Sequence, residues 1–317
     1  MPQLTWLVTG CSTGFGEQFI RAILARGDRA IATARNVASL QPLADLGAAT
    51  LQLDVTASLD ELQKKVQQAV EVYGHIDVLI SNAGYVQLGA VEDLGDNLMK
   101  QLQTNTFGAL NMLKAIMPHW RARKSGFFVV NSSYISWWST MPGGGAYAAS
   151  KAALDRTLPP QLSPSPPPTS GRPSARCQGR EANGRGHAGL VSTFVAETAA
   201  LGYIKTLTIH PGHFRSEVAA EAKHAAFLAK PSEHYQGLTD FMTGFRGQLH
   251  GHQPGDVVKA VELTLDLVKG EGVAAGGRKV PERIWMGKDA YETVKEQAEE
   301  TLRVLEEWKE EIQSTDG

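Results

Sequence analysis

Cysteine is scarce: Cys11 and Cys177 are the only two in 317 residues. Thiols so far apart form neither a disulfide framework nor a zinc-ligand spacing, so both are read as free thiols in a reducing compartment. Long apolar runs are missing, and "MPQLTWLVTG" enters a strand pattern without a basic leader. The expectation is therefore a soluble, cytoplasmic protein with no membrane partner. Charge of one sign is missing too. A formal net charge of −2 supplies no electrostatic footprint for nucleic acid. His250 and His252 form an H-x-H pair without an obvious third ligand, so no metal site is expected.

What is present is the composition of an ordinary globular chain, 42% hydrophobic and 20% charged. Short apolar runs at 4–10, 29–34, 49–55, 76–84, 126–133 and 204–212 alternate with amphipathic stretches at 16–25, 59–74 and 97–120. That alternation predicts an α/β fold: a doubly wound, Rossmann-type parallel sheet with helices on both faces, in a single domain over 1–317. Residues 288–313 read as a charged amphipathic C-terminal helix.

Residues 156–188 do not fit this pattern. They hold seven of the fifteen prolines, five arginines and one acidic residue. Such a segment buries too little apolar surface to offset the entropy of ordering, and a disordered insert is expected. With it removed, Leu154, Leu190, Val191, Phe194, Val195 and Leu201 fall at offsets 0, 3, 4, 7, 8 and 14, one helical stripe. The insert therefore interrupts a helix, either as a loop or as translated sequence of a retained intron.

Three motifs carry chemistry. "TGCSTGFG" follows the first strand and opens a helix, with Gly10, Gly14 and Gly16 placed for a tight turn and close approach to a pyrophosphate. Alone, it also fits an ordinary strand-to-helix turn. Arg35 ends the second strand, where an acidic residue would bind the 2′-hydroxyl of NAD. A guanidinium there suits a 2′-phosphate and favours NADP over NAD, although a solvated arginine is the plain alternative. "YAASK" puts Tyr147 and Lys151 one helical turn apart. A neighbouring ammonium and a positively charged nicotinamide favour the phenolate, moving the tyrosine toward a useful pKa.

In order and placement, "TGCSTGFG", "LDV", "SNAG", "TNTFG", "YAASK" and "HPG" resemble the short-chain dehydrogenase/reductase family, over the whole chain except 156–188. The resemblance implies a loop of Gly10, Ser12, Gly14, Phe15 and Gly16 around the cofactor pyrophosphate. It implies Asp54 beside the adenine, and Asn82, Ala83 and Gly84 along the adenosine ribose. Pro211, Gly212, Phe214 and Ser216 would border the nicotinamide. Tyr147 would be the general acid/base, Lys151 would bind the nicotinamide ribose and lower the tyrosine pKa, and Asn105 would anchor a water linking Lys151 to solvent. Residues 216–253 resemble the family's variable substrate lid, and a homo-oligomer is possible because many members form one.

The family's substrate-binding serine lies thirteen residues before the tyrosine. Here that position is Tyr134, with Ser133 one place earlier. Ser133 is the expected substrate-binding hydroxyl, and Tyr134 the alternative. Trp137, Trp138 and Met141 fall where the family builds part of its substrate wall, though plain packing explains them equally. The reading is an NADP-dependent oxidoreductase that interconverts a carbonyl and a secondary alcohol on a small, fairly apolar substrate. A non-catalytic dinucleotide-binding sensor or scaffold, and an inactive product of a retained intron, are the alternatives.

Overall fold

Strands buried on both faces can lie only inside a layered α/β fold, and the chain supplies them. The computed structural model describes residues 2–137, 141–155, 201–216 and 228–316. Its strands are β1 (Thr5–Val8), β2 (Arg29–Ala34), β3 (Ala49–Gln52), β4 (Val78–Ser81), β5 (Gly126–Asn131), β6 (Ile204–Pro211) and β7 (Arg283–Met286). They form one sheet in the order β3-β2-β1-β4-β5-β6-β7. Every pair is parallel.

The described helices are α1 (Gly14–Ala25), α2 (Gln41–Ala44), α3 (Leu59–Tyr73), α4 (Asn97–Leu102), α5 (Gly108–Arg123), α6 (Gly145–Asp155), α7 (Gln236–Leu249), α8 (Val257–Lys269), α9 (Lys288–Glu307) and α10 (Lys309–Gln313). Side chains alternate across the sheet, so neighbouring strand residues enter different cores. Trp6 and Val8 join Phe19, Ile23, Val261 and Leu265 of α1 and α8. Leu7 and Leu79 join Leu62, Met112, Ile116 and Leu154 of α3, α5 and α6. Helices thus cover both faces. The strand order turns between β1 and β4, which opens a crevice at their carboxyl ends.

Local signals set the helix limits. Ser58 and Glu61 form a capping box at the start of α3, and Gly74 closes it at φ 80°. The stretch expected as one helix from 97 to 120 is α4, a π-turn over Gln103–Phe107, and then α5. Outside the expected lid, three elements, α2, α8 and β7, are additional to the sequence expectation. The segment 156–188, the resumed helical stripe up to residue 200, and Trp138 lie outside the described residues, as do 217–227 of the expected lid.

Candidate active site

The loop after β1 is built for close approach. Gly10 adopts φ +71°, and a Cβ there would lie 2.8 Å from the Ala83 Cα. A Cβ on Gly16 would come within 2.6 Å of Asn82 Nδ2 and 2.9 Å of the Cys11 Cα. Asn82 fastens the loop from β4, its Nδ2 donating to Thr9 O at 2.9 Å and Gly10 O at 3.0 Å. The N-terminus of α1 therefore has its first-turn N–H groups unshadowed by side chains at Gly14 and Gly16, a cradle that fits a dinucleotide pyrophosphate. Across it stands the loop that leaves β6. The Phe214 ring meets Phe15 edge-on at 5.4 Å, and a Cβ on Gly14 would lie 3.6 Å from Ser216 Cβ. Pro211 and Gly212 continue that loop, with Gly212 N donating to Met286 O at 2.9 Å.

Ser12, Arg35 and Asp54 are exposed, past the carboxyl ends of the parallel strands β1, β2 and β3. The Arg35 charge acts on the Tyr85 phenol, which burial nonetheless pushes up. Asp54 Oδ1 accepts from Thr56 N at 2.9 Å and Thr56 Oγ1 at 2.8 Å, an Asx turn at the end of β3. No side chain at 84 separates Asn105 from Lys151. A Cβ on Gly84 would lie 3.1 Å from Asn105 Oδ1 and 3.8 Å from Lys151 Nζ.

A line of hydrogen bonds joins this cradle to α6. Asn131 Nδ2 donates to Asn82 Oδ1 at 2.8 Å, and Lys151 Nζ donates to Asn131 O at 2.7 Å. Lys151 Nζ lies 5.9 Å from the Tyr147 ring centroid. Asn105 sits in the π-turn, a rare helical widening that recurs at functional sites. Its Oδ1 accepts from Tyr85 N at 3.1 Å, and its Nδ2 donates to Tyr85 O and Ser150 Oγ, each at 3.0 Å. Ser150 Oγ donates to Tyr147 O at 2.8 Å, so Asn105 braces the backbone of the tyrosine.

The Ser133 hydroxyl acts on the Tyr147 phenol, while Ser133 Oγ also caps a turn from Ile135 N at 3.4 Å. The Tyr134 ring packs 5.5 Å from that of His213. Burial pushes the Tyr147 phenol up to about 12, opposed by the Ser133 hydroxyl. The expected lowering by Lys151 is absent from the protein alone. Burial also pulls the Lys151 ammonium down to about 8, with Asp155 acting against it. Burial is the largest cause of both shifts.

Sequence reasoning missed two groups. Beneath Ser133, His210 Nδ1 lies 3.2 Å from Asp155 Oδ2 and 3.4 Å from Ser133 O. Ser136 Oγ bonds Ser133 O at 2.7 Å and also meets Asp155 Oδ2. The available signal was Asp155, a carboxylate one turn after Lys151. Beside Tyr134, Asp289 Oδ2 holds His213 through Nδ1 at 2.9 Å and the backbone N at 2.7 Å. No spacing rule links residues 76 apart. Trp137 packs on Trp285 at 5.4 Å and under Arg283 at 5.3 Å, next to β7. Its ring contacts explain it as packing.

A hollow on the opposite edge of the sheet is lined by Gln3, Arg26, Asp28, Asp266, Lys269 and Glu271. Its charges pair with one another, Arg26 with Asp266 at 2.8 Å and Lys269 with Asp28 at 3.0 Å. Among the described residues no His, Cys, Asp or Glu cluster could hold a metal ion.

The family model for short chain dehydrogenase matches residues 5–158 and stops three residues into the Pro/Arg-rich run. The oxidoreductase claN of Passalora fulva is 35% identical over 157 residues, 48% of this chain and 70% of that protein. The chain belongs to the short-chain dehydrogenase/reductase family. The oxidoreductase BOA17 of Botryotinia fuckeliana (strain B05.10) is 28% identical over 310 residues, 96% of each chain. A short-chain dehydrogenase structure from Streptomyces avermitilis is 27% identical, covers 100% of both chains and superposes with a TM-score of 0.75. More distant members share the fold. One from Burkholderia phymatum is in complex with NAD, at 17% identity, TM-score 0.65 and 92% of both chains. One from Burkholderia cenocepacia is in complex with NADP, at 18% identity, TM-score 0.60, 96% of this chain and 97% of that one. Within the described residues no helix is long and apolar enough to cross a membrane.

Proposed function

We propose that this oxidoreductase uses NADP to interconvert a carbonyl and a secondary alcohol on a small, fairly apolar substrate. The observation that carries the reading is the hydrogen-bonded line from the Gly10 cradle through Asn82 and Asn131 to Lys151, with the Ser133–Tyr147 pair beside it. The dinucleotide would supply or accept the hydride at the substrate carbon. In the reducing direction Tyr147 gives its phenolic proton to the carbonyl oxygen, while the Ser133 hydroxyl hydrogen-bonds that oxygen and fixes its position. Lys151 holds the nicotinamide ribose and, with the charge of the oxidised ring, favours the phenolate in the reverse direction. Asn105 keeps the backbone of α6 in register with the loop after β4. Gly10, Ser12, Gly14, Phe15 and Gly16 take the pyrophosphate. Asp54, Asn82, Ala83 and Gly84 take the adenosine side, and Pro211, Gly212, Phe214 and Ser216 the nicotinamide side.

Arg35 is assigned to the 2′-phosphate because it is an exposed guanidinium at the end of β2, on the edge of the sheet that carries the cradle. The reading also takes the protein to be cytoplasmic, in keeping with the free, buried thiol of Cys11, and allows a homo-oligomer. The test is consumption of NADPH against a ketone panel. Tyr147→Phe should lose at least about 100-fold in kcat with NADPH affinity retained, and unchanged turnover rejects the mechanism. Arg35→Asp should weaken NADPH roughly tenfold or more while sparing NADH. A second reading, a dinucleotide sensor without turnover, draws on Tyr134 at the family's serine position. Tight NADPH binding with no turnover on any carbonyl selects it.

A further inference from the structure

Aromatic rings continue from the reacting phenol to the surface. Tyr134 follows Ser133 directly, in a turn that packs on α6, the helix of Tyr147. The Tyr134 ring meets His213 edge-on at 5.5 Å, His213 meets Phe245 at 6.5 Å and 68°, and Phe245 stacks with Phe241 at 6.3 Å and 18°. These separations lie within the range in which aromatic pairs attract. Phe241 and Phe245 are one turn apart on α7 and stay 54% and 36% exposed. Both rings leave apolar surface in water.

The wall is held, not loose. Asp289 fixes the His213 imidazole through Nδ1 and through its backbone N–H. Met242, 1% exposed, anchors α7 against Gly143 in the loop just before α6. The His213 side chain stays 30% exposed.

We infer that the substrate is an aromatic carbonyl compound whose ring system lies along Tyr134, His213, Phe245 and Phe241, with its carbonyl at Tyr147. This rests on the carbonyl–alcohol reading above. Phe241 and Phe245 are specificity-determining: they select a ring over a chain and take no part in proton transfer. Alternating edge-on and stacked rings give a second aromatic system both faces and edges to pack against, and His213, with its Nδ1–H given to Asp289, offers the Nε2 lone pair to a donor on the ring system. An aliphatic ketone gains only area from the same wall.

The test uses the full chain with NADPH and two ketones, 2-acetylnaphthalene and cyclohexanone. Wild type should favour the naphthyl ketone in kcat/KM, and Phe245→Leu and Phe241→Leu should each lower that value roughly fivefold to tenfold while changing cyclohexanone less than about twofold. Leucine keeps an apolar side chain and removes the ring. Equal losses on both ketones, or no preference in wild type, overturn the inference. If neither ketone turns over, the reaction reading fails separately, and saturation-transfer NMR of 2-acetylnaphthalene on the NADP-loaded protein decides the wall. Binding weakened by both leucine variants supports it, and no binding overturns it.

Discussion

Asp155 and His210 meet beneath Ser133, Oδ2 to Nδ1 at 3.2 Å, with both side chains wholly out of water. His210 also stacks on Trp285 at 5.2 Å, and Arg283 and Lys151 are the other charges that act on it. Removing one member of a buried polar pair strands the other. Asp155→Ala should therefore destabilise the protein by about 3 kcal/mol in urea titrations. The double variant Asp155→Leu with His210→Phe should cost clearly less than the sum of the single changes. Strict additivity would show that the pair does not act as a unit.

Ser133 and Tyr134 compete for one role, and their contacts differ. The Ser133 hydroxyl acts on the Tyr147 phenol, whereas the Tyr134 ring packs on His213. Ser133→Ala should lower kcat on a ketone by at least about 30-fold, because it removes a hydrogen bond that strengthens as charge grows on the oxygen. Tyr134→Phe keeps the ring and should stay within about threefold. The opposite ranking would move the substrate-binding role to Tyr134.

Gly16 has no room for a side chain. Alanine there would press on Gly10 O and lie 2.6 Å from Asn82 Nδ2. Gly16→Ala should cost about 1–3 kcal/mol by overpacking and weaken NADPH more than tenfold, read by fluorescence titration. Full binding in that variant would place the pyrophosphate elsewhere.

The Lys151 ammonium falls from 10.5 to about 8 on folding, through burial. A folded pKa below the unfolded one means that the unfolded chain binds more protons between those values, so stability rises with pH across the window. Tyr147, raised from 10.0 to about 12, works the other way, losing its contribution as pH climbs through 10–12. The clean interval is about pH 8–10. There the unfolding free energy of cofactor-free wild type, relative to Lys151→Met, should rise by about 2–3 kcal/mol. A flat difference would mean that Lys151 keeps an ordinary pKa.

Residues 156–188 follow directly on the helix of the Tyr147–Lys151 pair. A flexible loop of that length costs up to about 3 kcal/mol in closure entropy. Deleting Arg156–Ala188 should raise both melting temperature and turnover, as expected of a looped-out insert or a retained intron. A deletion variant that is insoluble or slower would assign the segment a real role.

Much of this was readable in the chain. Buried runs such as "TWLV" and "VLIS" announce parallel strands, because a strand covered on both faces has no polar side to show. The helix α8 went unread although its limits are local, with Asp256 accepting from Val258 N and Lys259 N at one end and Gly270 at φ 69° at the other. The four-residue β7 was not legible, since "RIWM" becomes a strand only by pairing with β6. Arg35 and Asp54 could be placed at strand ends from the sequence, but not the Arg35 charge beside Tyr85.

The sequence by itself determined the α/β class, the glycine turn after the first strand, and the one-turn spacing of Tyr147 and Lys151. Those depend on residues close together along the chain, where backbone geometry alone relates them. Only the tertiary structure decided that Tyr134 packs on His213, that Asp155 finds His210 under the site, and that Asp289 fixes His213. Each of these joins separate elements of the fold, so packing and desolvation decide them, and neither can be read from spacing.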